Sequence, residues 1–151
     1  MKNLFSKMFV ATAVVFSMTS CDKDEQLISS DELPTVSKNF VSEYFAGAKY
    51  ISTVKDKEGV SSYEYEVKLD NGVDIKFDEA GQWQEVEMRN DIQALPNTAF
   101  ILPAIVKYVN DNYATVGING IDRELNGFDV ELTNDLDLEF DKEGNFIRID
   151  R

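Results

Sequence analysis

The stretch FDEAGQW, Phe77 to Trp83, returns 63 residues later as FDKEGNF, Phe140 to Phe146. No other feature constrains the fold as strongly, because the surroundings of this turn are written twice as well. YEVKLDNGVDIKFDEAGQW (Tyr65 to Trp83) faces FDVELTNDLDLEFDKEGNF (Phe128 to Phe146) at the same offset. Upstream, Leu33-Pro34 aligns with Leu102-Pro103, and Val36, Phe40 and Tyr44 then face Ile105, Val109 and Tyr113 at an offset of 69. The six-residue difference between the two offsets falls between helix and hairpins, where loops absorb length at little entropic cost. A shared order of helix, hairpin and turn reads as a tandem duplication.

Each unit predicts one helix followed by antiparallel strands. Pro34 suits a first helical position, where its missing N–H costs nothing, and Val36, Phe40, Val41, Tyr44 and Phe45 form an apolar stripe that Gly47 ends. Tyr63, Tyr65, Val67 and Leu69 alternate with Glu64, Glu66 and Lys68, the pattern of a strand buried on one face. Asn71-Gly72 predicts a hairpin turn into Val73, Ile75 and Phe77. In DEAG and DKEG, an aspartate opens a tight turn and a glycine supplies its left-handed residue, as a type I turn with a bulge requires. Neither is a calcium loop, which needs about twelve residues with oxygen ligands at alternating positions.

Residues 31–88 thus form a first repeat, 89–101 a linker, and 102–151 a second repeat. The fold class is α+β: a tandem duplication of a helix plus about four antiparallel strands. Both helices cover one face of a single curved antiparallel sheet of eight strands, and the other face is left open.

The pattern LP…V…FV…YF…A…I, the hairpin YEVKLDNGVDIKF and the following FD…GQW resemble the PepSY-like, putative beta-lactamase-inhibitor-like lipoproteins of Gram-negative gut-type bacteria. The resemblance spans Leu33 to Arg151. It departs in the second unit, where Asp135 replaces the turn glycine and Phe146 the tryptophan. It implies two stacked helix-plus-four-strand repeats with a concave sheet, and no established activity.

The first 20 residues carry Lys2 and Lys7, then the apolar run MFVATAVVFSM, then small residues leading to Cys21. This is the layout of a secretory signal, with an apolar run too short to span a membrane. MTSC, Met18 to Cys21, resembles a lipobox, so Cys21 is the expected lipidation site and the lipid the expected membrane anchor. Residues 21–30 read as the lipidated cysteine and a polar tether. DKDEQ in that tether resembles the surface-export signal of some Gram-negative lipoproteins, so the expected address is the outer membrane, facing the periplasm or the surface.

Removing residues 1–20 leaves 13 basic against 28 acidic residues, a net charge of −15. Such acidity argues against nucleic acid and anionic lipid headgroups as partners and favours a basic protein patch, a cation, or simply solubility at a crowded surface. No histidine is present and the lone cysteine is taken by lipid, which leaves no nucleophilic triad. There is no Gly-rich phosphate loop and no Cys/His metal motif, so neither catalytic nor metal residues nor any cofactor are expected.

A function would lie on the open sheet face. Alternation turns Ser62, Glu64, Glu66, Lys68, Asp74 and Lys76 outward in the first unit, and Asp129, Glu131, Asp137 and Glu139 outward in the second. Those four carboxylates, with no lysine among them, are the candidate binding residues for a basic partner. Trp83 is the fifth candidate. It either pairs inward with Phe77 or is turned outward by a bulge as a binding anchor. The expected function is a non-catalytic, lipid-anchored module that engages or inhibits another envelope or extracellular protein. The alternative is a lipoprotein that captures a carbohydrate or other small ligand.

Overall fold

The structure is a computed structural model that describes residues 25–58 and 62–150; Cys21 and the export segment lie outside the described residues. Nine strands and two helices are present among them: β1 (Gln26–Leu27), α1 (Thr35–Tyr44), β2 (Tyr50–Glu58), β3 (Ser62–Leu69), β4 (Val73–Phe77), β5 (Trp83–Met88), α2 (Pro103–Asn112), β6 (Ile118–Glu124), β7 (Gly127–Leu132), β8 (Asp137–Asp141) and β9 (Phe146–Asp150). The strands form one open sheet in chain order, and every pair is antiparallel. In each half a helix is followed by four strands, β1 precedes the first helix, and β5 joins β6 at the centre.

The ninth strand departs from the eight expected. It comes from the segment read as a tether: Gln26 and Leu27 pair with Lys55 and Val54 of β2, and Ile28 N–H extends the contact to Thr53 C=O at 3.0 Å. Without it, the outer backbone groups of β2 would form an unpaired edge. Residues 89–101, read as a linker, are tied to the sheet. Leu95 is buried and its N–H reaches Ile118 C=O at 2.8 Å. The buried Asn119 donates to Asn90 C=O at 2.9 Å and to Gln93 C=O at 2.7 Å.

The helix register corrects the Leu-Pro alignment by one residue. Thr35 opens α1 and Pro103 opens α2, an offset of 68, so Pro34 caps its helix while Pro103 is the first residue within its own. Burial follows that offset: Leu33, Ser37 and Val41 match Ile101, Ile105 and Val109. Val36, placed in the stripe by sequence, is 44% exposed.

Both helices cover the same face. Phe40 of α1 meets Phe77 edge-on at 5.8 Å, and Tyr108 of α2 meets Phe140 edge-on at 5.5 Å and stacks on Phe146 at 4.5 Å. The doubled turn explains how the helices are seated. Asp78 Oδ1 accepts Gln82 N–H at 2.8 Å, and Asp141 Oδ1 accepts Asn145 N–H at 2.8 Å. Gly81 and Gly144 hold φ of +84° and +83°, and each lies under the first turn of its helix. A Cβ at Gly81 would stand 2.7 Å from Pro34 Cβ and 2.8 Å from Ser37 Oγ. The turn is written twice because two helices dock on it.

Candidate functional site

The face opposite the helices carries the charged side chains. Strand register arranges them in rows that cross the sheet. One row runs Glu66, Lys76, Glu85, Asp122, Asp129, Glu139, Arg148, each residue directly opposite the next from β3 to β9. The neighbouring row runs Lys68, Asp74, Glu87, Gly120, Glu131, Asp137, Asp150.

The structure therefore brings Asp129, Glu131, Asp137 and Glu139 together, with Asp129 opposite Glu139 and Glu131 opposite Asp137. It adds Glu85, Glu87 and Asp122, which the sequence pattern does not expose. The bulge at Trp83 and Gln84 hides the phase of β5, since Phe77 pairs with Trp83 while Lys76 pairs with Glu85. In β6, Asn119 and Gly120 break the alternation that would have marked Asp122 as outward. Asn119 is buried by its bonds to residues 90 and 93, so it breaks the polar-outward rule.

Trp83 is not an exposed anchor. It is 8% exposed and faces the core, against Phe100 at 5.5 Å, Phe128 at 6.3 Å and the Arg123 guanidinium at 4.3 Å. The bulge allowed by the sequence exists, but it turns Trp83 inward beside Phe77. Tyr50 is half-buried against the same core.

Cations stand at the ends of the acidic row. Lys76 Nζ lies 2.5 Å from Glu85 Oε2, and Arg148 pairs with Glu139. In the next row, Arg89 Nε lies 2.8 Å from Asp74 Oδ1. Burial lowers Lys76, but its bond to Glu85 outweighs that and raises it overall. Among the described residues no ion pair reaches Glu87, Asp122 or Asp129.

Their protonation reflects this. Burial, then Glu85 and Asp122, pushes Glu87 up to about 8. Burial, then Glu85, pushes Asp122 up to about 7. Burial, then Glu124 and Glu139, pushes Asp129 up to about 6. Asp74 is raised by burial despite Arg89, and Glu66 by burial despite Lys76 and Lys68.

Among the described residues, no three acidic or sulfur side chains converge as a metal-holding group. A shallow depression of about 440 Å³ lies beside the β4–β5 turn, lined by Tyr63, Glu64, Asp78 and Gln84 among others. What the open face offers is a broad, half-desolvated carboxylate surface suited to a cationic counterpart.

The sequence profile of a family described as putative beta-lactamase-inhibitor-like, PepSY-like, matches the chain twice, over residues 17–80 and 63–148. Among solved structures, a putative calcium-regulated periplasmic protein from Bacteroides thetaiotaomicron is 30% identical. It covers 84% of this chain and 97% of its own, with a TM-score of 0.76. Two putative periplasmic proteins from Bacteroides vulgatus, one of them described as of unknown function, are 26% and 29% identical. They cover 84% and 87% of this chain and 99% and 100% of their own, with TM-scores of 0.77 and 0.76. Among curated proteins none matches.

Proposed function

The chain belongs to the PepSY-like, beta-lactamase-inhibitor-like family, and from that premise we propose that it is a non-catalytic binding module of the cell envelope. Its open sheet face engages a basic surface on another envelope or extracellular protein. The observation that carries this reading is the row Glu85, Asp122, Asp129, Glu139: four carboxylates on adjacent strands, with cations only at its two ends. Like charges directly opposed across strands destabilise a sheet, and a cationic partner removes that cost. Periplasmic neighbours and the signal-like N-terminus support the envelope address, with Cys21 as the lipid anchor. The two matches to one family profile, together with the paired helix and turn geometry, support descent by tandem duplication.

A carbohydrate-capturing role fits less well. Sugar sites present aromatic platforms, whereas Phe40, Phe77, Trp83 and Phe100 pack together, and Tyr108 packs on Phe140 and Phe146, on the covered side.

Two experiments test the proposal. Capture of partners from an envelope extract should fall with added salt, and should fall in a variant combining Asp129→Asn, Glu131→Gln, Asp137→Asn and Glu139→Gln, which keeps side-chain size. Equal capture by the variant at low salt would sink the docking reading. For the anchor, Cys21→Ala should move the protein from the membrane to the soluble fraction, or leave it uncleaved.

A further inference from the structure

At the centre of the open face, the backbone ladder holds like charges together. Asp122 has Glu85 on one side and Asp129 on the other; Asp129 has Asp122 and Glu139. Directly opposed side chains start from Cβ atoms about 4.5–5.5 Å apart, and neither strand can retreat without breaking its hydrogen bonds. Carboxylates crowded in this way and half withdrawn from water do not ionise independently, so some retain protons.

The groups facing this centre are known strand by strand. β4 presents Asp74 and Lys76, β5 Glu85 and Glu87, β6 Asp122 and Glu124, β7 Asp129 and Glu131, β8 Asp137 and Glu139, and β9 Arg148 and Asp150. Lys76 is bonded to Glu85, Arg148 to Glu139, and Arg89, just past β5, to Asp74. Gly120, opposite both Glu87 and Glu131, contributes no side chain.

Resting on the docking reading above, we propose that protons gate this face: its central carboxylates hold protons in mildly acidic surroundings and shed them as pH rises. A cationic partner is then captured at neutral to alkaline pH and released on acidification. The two ion pairs at the row ends do not supply this switch, because they keep Glu85 and Glu139 matched to fixed cations. The gate lies in the groups between them. Burial and neighbouring carboxylates raise Asp129 to about 6, Asp122 to about 7 and Glu87 to about 8. Unperturbed carboxylates titrate near pH 4, so the gated groups work well above the usual carboxylate range.

The test uses the full-length protein and a lysine homopeptide as probe, at low ionic strength, from about pH 5 to about pH 9. Lysine keeps its charge through that range, so any pH dependence belongs to the protein. Affinity should rise roughly tenfold or more across the window. Carboxyl carbon resonances of Asp122 and Asp129 should move in the same interval. The double variant Asp122→Asn, Asp129→Asn should fold, since it relieves repulsion at nearly constant size, and should bind the peptide with a flatter profile. Binding that is strong but independent of pH would overturn the gate and leave the docking reading standing. Carboxyl resonances titrating near pH 4 would also overturn the gate. No binding at any pH would overturn the docking reading and the gate together.

Discussion

Asp135 holds φ +61°, a left-handed backbone that its counterpart Gly72 adopts at +91°. Both follow the same turn: Gly72 N–H reaches Leu69 C=O at 3.2 Å, and Asp135 N–H reaches Leu132 C=O at 3.0 Å. Asn71 keeps negative φ, so the connection is a type I turn with a left-handed third residue rather than the two-residue turn suggested by Asn-Gly. Aspartate tolerates this conformation at a cost that glycine avoids. Asp135→Gly should therefore stabilise the protein by about 0.5 kcal/mol, read as a shift of the denaturation midpoint at constant m. Trp83 gives the opposite lesson. Its inward position was one of two readings open to the sequence, and only the bulge opposite Phe77 chose between them.

At the level of elements, the two turn glycines do more than turn the chain. Gly81→Ala adds a Cβ into Pro34 and Ser37 and keeps an unfavourable φ, so it should cost about 2 kcal/mol or more. Gly144→Ala would meet Ala104 Cβ at 3.1 Å, a looser fit, and should cost less. Equal midpoints for the two variants would mean that the helices are not seated on these turns. Phe77 and Phe140 occupy matching buried positions beneath the helices. Truncating either to alanine should cost about 3–5 kcal/mol by denaturant titration. The strands β3, β4, β7 and β8 were legible because one face is buried and the other wet. The helix register was not, because a shared Leu-Pro pair outweighed the buried positions one residue away.

For the whole molecule, the open face couples stability to pH. The native protein keeps protons on Glu87, Asp122 and Asp129 that the unfolded chain has already lost above about pH 5. The unfolded state then binds fewer protons, so the slope of unfolding free energy with pH is negative. Stability from these groups is fullest below their unfolded values, falls as pH rises through their native values, and levels off above about 8. The Tm should drop by about 5 °C or more between about pH 5 and pH 8.5. Asp122→Asn should flatten that decline and raise the Tm at the alkaline end. A Tm that climbs over the same range would contradict the proton assignment.

The class of fold, the repeated helix-and-hairpin order, the doubled turn and the outward carboxylates of β3, β4, β7 and β8 are all readable from the residues alone. All of these rest on local spacing: period two in strands, a fixed turn chemistry, and apolar residues where a face is covered. Strand pairing across the sheet supplies what local spacing cannot carry. It bound Gln26 and Leu27 to the edge of β2 and turned Trp83 into the core. It also joined β5 to β6, so that Glu85 meets Asp122 and Asp122 meets Asp129. Those residues are 37 and 7 positions apart in the chain, and only the strand register makes them neighbours. The charge on the open face is written in the sequence; its crowding, and hence its protonation, is created by pairing strands at the junction of the two halves.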